Sequence, residues 1–415
     1  MGSAWTNCKP RSTPLIVEAE APRVNPDRSR WGVKFLASAP IAEERKPYMS
    51  LPNPQEAALE VSPELAAGAA APARPEHSEA FARFFGKVDR SNPTLAELLS
   101  VAERLAPRAG KPAPVIAMAP AKPLPARNPL GPSISPETIV ARVGTLASLP
   151  NIYFQVDKAI NHPSSSTSRI GTILSYDQAL CARLLRIANS AFYGFSRRID
   201  GIEDAVRIIG TRQLHDLVLA TVVLSQFKGI NSNLVSMRSF WRHSLACSIA
   251  SRCLARLRRE SNIERFFVAG LLHDIGSLAM YQLLPERAQL ALERHRDGDK
   301  PLEDAERAVF GCDHSAVGAA LMTSWTLPAF FRDAIANHHS AGPRGHTPAT
   351  AIVHLADVLV QTLDLGSNGE QRLSRVAPDV CECAGFPTGT LTVVADEVVG
   401  TLADIERAFL SDMTD

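Results

Sequence analysis

Five of the eleven histidines stand in one ordered series, His243, His273, His314, His338 and His339, and two aspartates, Asp274 and Asp357, accompany them. Imidazole nitrogen and carboxylate oxygen are the donors that a divalent iron, manganese or zinc ion takes, so these seven residues are the candidate metal ligands. His273 and Asp274 interrupt the run Phe266-Phe-Val-Ala-Gly-Leu-Leu-His-Asp-Ile-Gly276, which is too apolar to lie on a surface. An ionised aspartate in such surroundings is costly unless it is paired. Asp274 therefore needs a cation, a protonated histidine or strong hydrogen-bond donors.

Neighbouring residues on a helix point about 100° apart, so His273 and Asp274 share a site only if it lies between their two directions. The remaining ligands then come from other helices. His314 follows Asp313 near a helix start, His338 and His339 end a helix, and Asp357 sits mid-helix three residues after His354. This arrangement reads as a bundle-core site holding one or two ions. The alternative is a polar network in which Asp274 accepts hydrogen bonds from histidines or arginine. Adjacent residues do not easily face one ion, so His338 is the less secure ligand of its pair. His354 is either a second partner to Asp357 or a satisfied core residue.

The elements that must position these groups are helices. Asp177 is placed to cap a helix carrying Leu180, Leu184 and Ile187 at i, i+4 and i+7. Ile202, Val206 and Ile209 repeat the spacing, Gly210 closes that helix, and Thr211 is placed to cap the next. Further helices are predicted at about 236–257, 264–283, 286–296, 301–309, 314–324, 328–338, 348–364 and 394–410. Alternating strand-type runs are nearly absent, which makes the fold class all-α.

Residues 1–134 differ in kind. Of the 30 prolines, 21 fall in residues 1–140, among alanines and charged residues without sustained periodicity. Such a Pro/Ala-rich segment buries too little apolar surface to offset its chain entropy, so a mostly disordered tail is expected. Two short helices are candidates within it, near 78–86 and 94–106, the second with Thr94 as N-cap and Glu97 at capping-box spacing. They serve either as recognition helices for a partner or as docking helices on the protein's own body.

Several separate blocks resemble the HDOD domain of bacterial signalling proteins, a relative of the HD superfamily of metal-dependent phosphohydrolases. They are Leu149-Pro150, Leu184-Leu-Arg-Ile-Ala-Asn-Ser-Ala-Phe-Tyr-Gly194, Ala205-Val-Arg-Ile-Ile-Gly210, Phe267 to Gly276, Asp313 to Gly318, Trp325-Thr-Leu-Pro328 and His338-His339. The resemblance covers roughly residues 135–410. It implies a helical N-terminal lobe, 135–235, and an HD-like lobe, 236–410. It also implies a signalling output or interaction module, since catalysis in that family is lost or undemonstrated. Two departures separate the chain from phosphodiesterases of the HD-GYP type. Ser277 stands where such enzymes carry a phosphate-pairing lysine, and no Gly-Tyr-Pro signature follows His339. A serine cannot supply the positive charge that stabilises a phosphoryl transition state. Arg344 or His346 could replace that charge, and Ser239 stands where a further glutamate ligand would precede His243. The block Asn189 to Gly194 is assigned to interlobe packing.

Composition narrows the remaining classes. With 44 basic and 43 acidic side chains, net charge +1, there is no global attraction to nucleic acid or to an anionic membrane. The basic cluster Arg252, Arg256, Arg258 and Arg259 reads as a solvated helix face. No stretch is expected to approach the roughly 18 to 20 apolar residues of a membrane span, the most apolar run, Leu217 to Leu224, being under half that length. Seven scattered cysteines suggest reduced thiols in the cytoplasm, and Cys381-Glu-Cys383 reads as two ordinary thiols. His77, His162, His215 and His295 have no partner motif. Together these features predict a cytoplasmic HDOD module that regulates a signalling partner, probing neither nucleic acid nor membrane. The competing expectation is a metal-dependent phosphohydrolase acting on a nucleotide or cyclic dinucleotide.

Overall fold

The computed structural model describes residues 91–105, 132–142, 149–227, 230, 234–298, 300–339, 347–377 and 380–411. All belong to one unit, Ala71–Asp415. The candidate helix near 78–86 lies outside the described residues. Among those described, the secondary structure is helix and turn without strand, so the chain is all-α.

Helix α1 (Pro93–Leu105) and α2 (Pro136–Arg142) precede an N-terminal helical lobe. That lobe comprises α3 (Asn151–Ile160), α4 (Thr167–Ser175), α5 (Gln178–Ala188), α6 (Ile202–Ile209) and α7 (Thr211–Gln226). The second lobe begins with α8 (Met237–Leu257), α9 (Glu264–Leu272), α10 (Ile275–Leu283), α11 (Pro285–Asp297) and α12 (Leu302–Phe310). It continues with α13 (His314–Ser324), α14 (Ala329–Ala336), α15 (Pro348–Thr362), α16 (Val380–Cys383) and α17 (Thr390–Leu410). Helix α8 is its axis, packing against α9, α15 and α17. Leu245, Ile249 and Leu254 on α8 are fully buried, and most of this helix lies inside the fold.

Local sequence decides most helix ends. Asp177 caps α5, accepting from the Leu180 N–H at 2.9 Å. Thr211 does not cap α7. The N-cap is Gly210 at φ 93°, and Thr211 is the first helical residue. Nor is Thr94 the cap of α1. Asn92 accepts from the Thr94 and Leu95 N–H groups at 3.0 and 3.2 Å. Glu97 is thereby released for another task, accepting from Leu391 and Thr392 at 2.8 and 3.2 Å at the start of α17. A carboxylate there satisfies two orphan N–H donors and opposes the positive end of the helix dipole. Leu98, Val101 and Leu105 are buried at 1 % exposure or less, and burial of that kind contributes about 1.5–3 kcal/mol per side chain. Helix α1 thus docks on α15 and α17 of the chain's own second lobe.

Residues 135–142, expected in the N-terminal lobe, belong to the second lobe by packing. Helix α2 lies on α10 and α13, the Ile134 N–H donates to Phe310 O at 2.7 Å, and Arg287 donates to Pro132 O. Ile139 is fully buried there. Amphipathic pattern alone does not say which lobe receives a short helix.

Glu264–Leu283, 20 residues, is long and apolar enough to cross a membrane by length and composition, contrary to the expectation that no stretch is. It is two helices with 89 % of its most apolar window buried inside the fold. The break falls at His273 and Asp274, and correcting the continuous 264–283 helix matters for the site below. The lobes meet through the block 189–194. Tyr193 OH donates to Glu264 Oε2 at 2.8 Å, while Arg252 donates to Glu264 Oε1 at 2.7 Å and lies over the Phe192 ring at 4.3 Å. Arg252 is therefore an interlobe group with its side chain only 12 % exposed, not part of a solvated face. Arg256 pairs with Glu397, and Arg258 with Glu260.

Asp216 on α7 sits at this junction, accepting from Asn262 Nδ2 at 2.9 Å. Burial pushes its pKa up to about 6 although Asn262 and Arg265 pull it down. A raised carboxylate stabilises the fold below its unfolded pKa near 4 and loses that contribution as pH rises through about 6. Asp216→Asn is expected to stabilise the protein at pH 7 by on the order of 2 kcal/mol, with the gain vanishing near pH 4, as read by urea denaturation at both pH values. Gly276 is a second test. A Cβ there would meet His314 O at 2.0 Å and Gly318 N at 2.6 Å, both backbone atoms. Gly276→Ala should destabilise by about 1–3 kcal/mol and lower metal uptake, because α13 carries His314.

Candidate metal centre

Interruption of the helix at His273 and Asp274 turns both side chains into one cavity. His273 Nε2 lies 2.9 Å from Asp274 Oδ2, closer than two successive residues of a continuous helix would place them. His243 arrives from α8, His314 from the first turn of α13, and Asp357 from the middle of α15. His338 and His339 lie in the turn after α14. Helical spacing does not apply in that turn, and both rings reach the site, with His314 Nε2 at 3.4 Å from His338 Nε2 and 2.9 Å from His339 Nε2. His338, the less secure ligand of the pair by its sequence position, thus reaches the site together with His339.

The donors fall into two groups. His243, His273 and Asp357 form one, joined by Cys247, and Asp274, His314, His338 and His339 form the other. Asp274 faces both, its Oδ2 lying 3.6 Å from His243 Nε2 and its Oδ1 3.4 and 3.5 Å from His314 and His338 Nε2. All seven sequence candidates are thus brought together.

Their tautomers are set from outside. His273 Nδ1 meets Gly270 O at 2.8 Å, His338 Nδ1 meets Ile335 O at 2.7 Å, and His314 Nδ1 meets Glu306 Oε2 at 2.6 Å. A carbonyl or carboxylate oxygen there requires an N–H on Nδ1, which leaves each neutral ring with a lone pair on Nε2 pointing inward. Lone pairs facing one another repel unless a cation stands between them. Buried atoms of the site without a hydrogen bond give the same indication, namely His273 Nε2 and Asp274 Oδ1. The residues present fit a divalent ion, or two, with Asp274 shared.

Electrostatics agree. Burial pushes the Asp274 and Asp357 carboxyls up, but the surrounding imidazoles outweigh it and hold both well below the usual carboxylate range. Burial lowers His314, yet Glu306 and Asp274 bring its pKa up to about 10, whereas burial and the neighbouring His338 and His314 push His339 well down. Proton and metal compete for the same nitrogens.

Six of the seven ligand candidates are 1 % exposed or less or lie wholly within the core, and His339 alone is partly exposed. The segment after α15 covers them. Gly366, at φ 96°, lies against the backbone of Ser239 and His243, where a Cβ would come within 2.4 Å of Ser239 O. Asn368 Nδ2 then donates to Asp274 Oδ2 at 2.6 Å, and Ser374 receives Gln361. Gln361 donates to both Asp357 oxygens, at 3.0 and 2.9 Å. His354 donates to His338 O at 2.6 Å and so supports His338.

Sequence reasoning missed Cys247, Glu306, Gln361 and Asn368. Cys247 and Gln361 carried a signal, each lying four residues after a ligand on its helix. Glu306 and Asn368 carried none, because tertiary packing alone brings them in. Arg344 and His346 lie outside the described residues, as does the Cys383 side chain. His295, read without a partner, lies 2.7 Å from Glu370, and His215 lies 3.3 Å from Asp157 and stacks on Tyr153.

His273→Ala and Asp274→Ala are each expected to lose most of the bound metal that elemental analysis finds in the tag-free wild type, while His162→Ala, exposed and bonded to Ser164, retains it. Equal metal in all four proteins would remove the assignment.

Known proteins can now be set beside this geometry. Residues 146–341 match the profile of the HDOD domain. An uncharacterised protein of Treponema pallidum (strain Nichols) is 25 % identical over 230 residues, 55 % of this chain, which spans 44 % of that protein's length. The crystal structure of an HDOD domain protein of unknown function from Geobacter sulfurreducens is 25 % identical, with TM-score 0.53, covering 66 % of this chain and 98 % of its own. A Shewanella amazonensis structure whose name assigns it provisionally to the phosphohydrolases is similar in fold, with TM-score 0.54 and 23 % identity over 65 % of this chain and 97 % of that one. Spacing of the histidines, the all-α fold and these likenesses converge on residues 146–341, which match the HDOD domain.

Proposed function

We propose that the chain is a cytoplasmic bacterial signal-transduction output module that regulates a protein partner, its iron, manganese or zinc centre joining helices without turning over a substrate. The observation that carries this reading is closure. A hydrolytic ion keeps a coordination position open to water and substrate, whereas here six donors are buried, Asn368 bonds to Asp274 Oδ2, and the strap carrying Gly366 seals the α8 side. Ser277, at the place of the phosphate-pairing lysine, is itself buried and offers no charge. What remains is a rigid core whose lobes are joined by Glu264, Tyr193 and Arg252.

A second reading has one observation in its favour. Asp274 presents one oxygen to each donor group, as a carboxylate bridging two ions would. Ions held there by these residues would supply Lewis acidity. This chain's residues would then orient a phosphate ester, nucleotide or cyclic dinucleotide, after displacement of the strap.

Phosphate release decides between them. Protein loaded with manganese, iron or zinc and offered nucleotides, cyclic dinucleotides and a generic phosphodiester is expected to match the His273→Ala variant. Turnover that disappears in both His273→Ala and Asp274→Ala would overturn the proposal in favour of the hydrolase.

A further inference from the structure

Cys247 lies one turn beyond His243 on α8, fully buried. A buried cysteine ordinarily packs among apolar groups. This one faces two imidazoles and a carboxylate, and its Sγ, His243 Nε2, a His273 ring nitrogen and an Asp357 oxygen all lie within 4.8 Å of one another. Gly270 permits the approach, since a Cβ there would meet Cys247 O at 2.6 Å. The same Gly270 accepts from His273 Nδ1 and aims the other nitrogen inward.

Spacing of these atoms suits one ion. Sulfur bound at about 2.3 Å and nitrogen or oxygen at about 2.0–2.2 Å, in tetrahedral array, stand roughly 3.3–3.6 Å apart. Here Cys247 Sγ is 3.6 Å from His243 Nε2, Asp357 Oδ1 is 3.1 Å from His243 Nε2, and Asp357 Oδ1 is 3.6 Å from His273 Nε2. Independently of the cysteine, His273 Nε2 is a buried nitrogen without a hydrogen bond, aimed into this group. Asp357 Oδ1 accepts from Gln361 at 3.0 Å and the nearby Asp274 Oδ2 from Asn368 at 2.6 Å, each oxygen keeping a lone pair for an ion.

We propose that Cys247 is a thiolate ligand of the metal held by His243, His273 and Asp357, completing a closed set of two nitrogens, one sulfur and one oxygen. The sulfur takes the position that a hydrolytic ion leaves to water. On binding, the metal–sulfur bond forms as the sulfur–hydrogen bond breaks heterolytically, the proton passes to solvent, and no electron is transferred. Such a donor set favours zinc or ferrous iron over manganese, because thiolate is a soft ligand. The two subsites are then unequal, the second offering three imidazoles and the Asp274 carboxylate. This inference deepens the reading of a closed, non-hydrolytic centre and rests on it.

The experiment is X-ray absorption spectroscopy on the full-length chain loaded with zinc, paired with the near-ultraviolet spectrum of the cobalt-loaded protein. A sulfur shell at about 2.3 Å and a thiolate-to-cobalt charge-transfer band are expected in wild type. Both should survive in Cys253→Ser, whose thiol donates to Glu397 and lies in neither donor group, and both should vanish in Cys247→Ser. A wild-type centre with only nitrogen and oxygen neighbours overturns the inference whatever the variants do. So does a sulfur shell that persists without Cys247, or a wild type that takes up no metal. Should Cys247→Ser fail to fold, Cys247→Ala serves in its place, and the wild-type sulfur shell remains an independent reading. Phosphate release from a sulfur-ligated centre would sink the non-hydrolytic reading and leave the ligand assignment, whereas an inert centre without sulfur would do the reverse.

Discussion

Asp274 is a fully buried carboxylate, and the second lobe is arranged around satisfying it. A charge removed from water demands partners of opposite sign or strong donors at close range. His273 stands 2.9 Å from one oxygen, Asn368 donates to it at 2.6 Å, and the imidazoles of His314 and His338 face the other. Each partner comes from a different part of the chain. Helices α8, α9, α13 and α15, the turn after α14 and the strap after α15 therefore converge at one point. Gly276, Gly270 and Gly366 stand where these backbones approach so closely that no side chain fits.

Support of the centre extends outward in a further layer of polar groups. Glu306 holds His314 at both ring and backbone, Gln361 holds Asp357, and His354 holds the carbonyl of His338. Orientation of this kind fixes which ring nitrogen carries its lone pair inward, and hence what the centre can bind. It also makes the second lobe rigid. Closure over the donors and rigidity beneath the surface have one structural origin.

The first lobe is tied to that frame through one buried network. Glu264 starts α9 and accepts from Tyr193 of one lobe and Arg252 of the other, with Arg252 lying over Phe192. Since α9 ends at His273, the interlobe contact and the candidate metal centre occupy opposite ends of one short helix. Helix α1 adds a tether at another edge, where Glu97 caps α17 and Leu98, Val101 and Leu105 enter the core.

By itself the sequence determined the all-α class, the helix periodicity and the candidate ligands, because each depends on residue type and local spacing. Asp177 capped its helix as its position requires, and the apolar run around His273-Asp274 announced a buried charge in need of partners. Only tertiary structure decided that the helix breaks at that pair, that His338 and His339 both turn inward, that α2 packs on the second lobe, and that Asn368 covers Asp274. Glu97 looked like one half of a local capping box and instead caps a helix 294 residues away. The physical reason is the same throughout. Periodicity records which residues must leave water, while the partner that each polar group finds inside depends on which helices come to lie beside it.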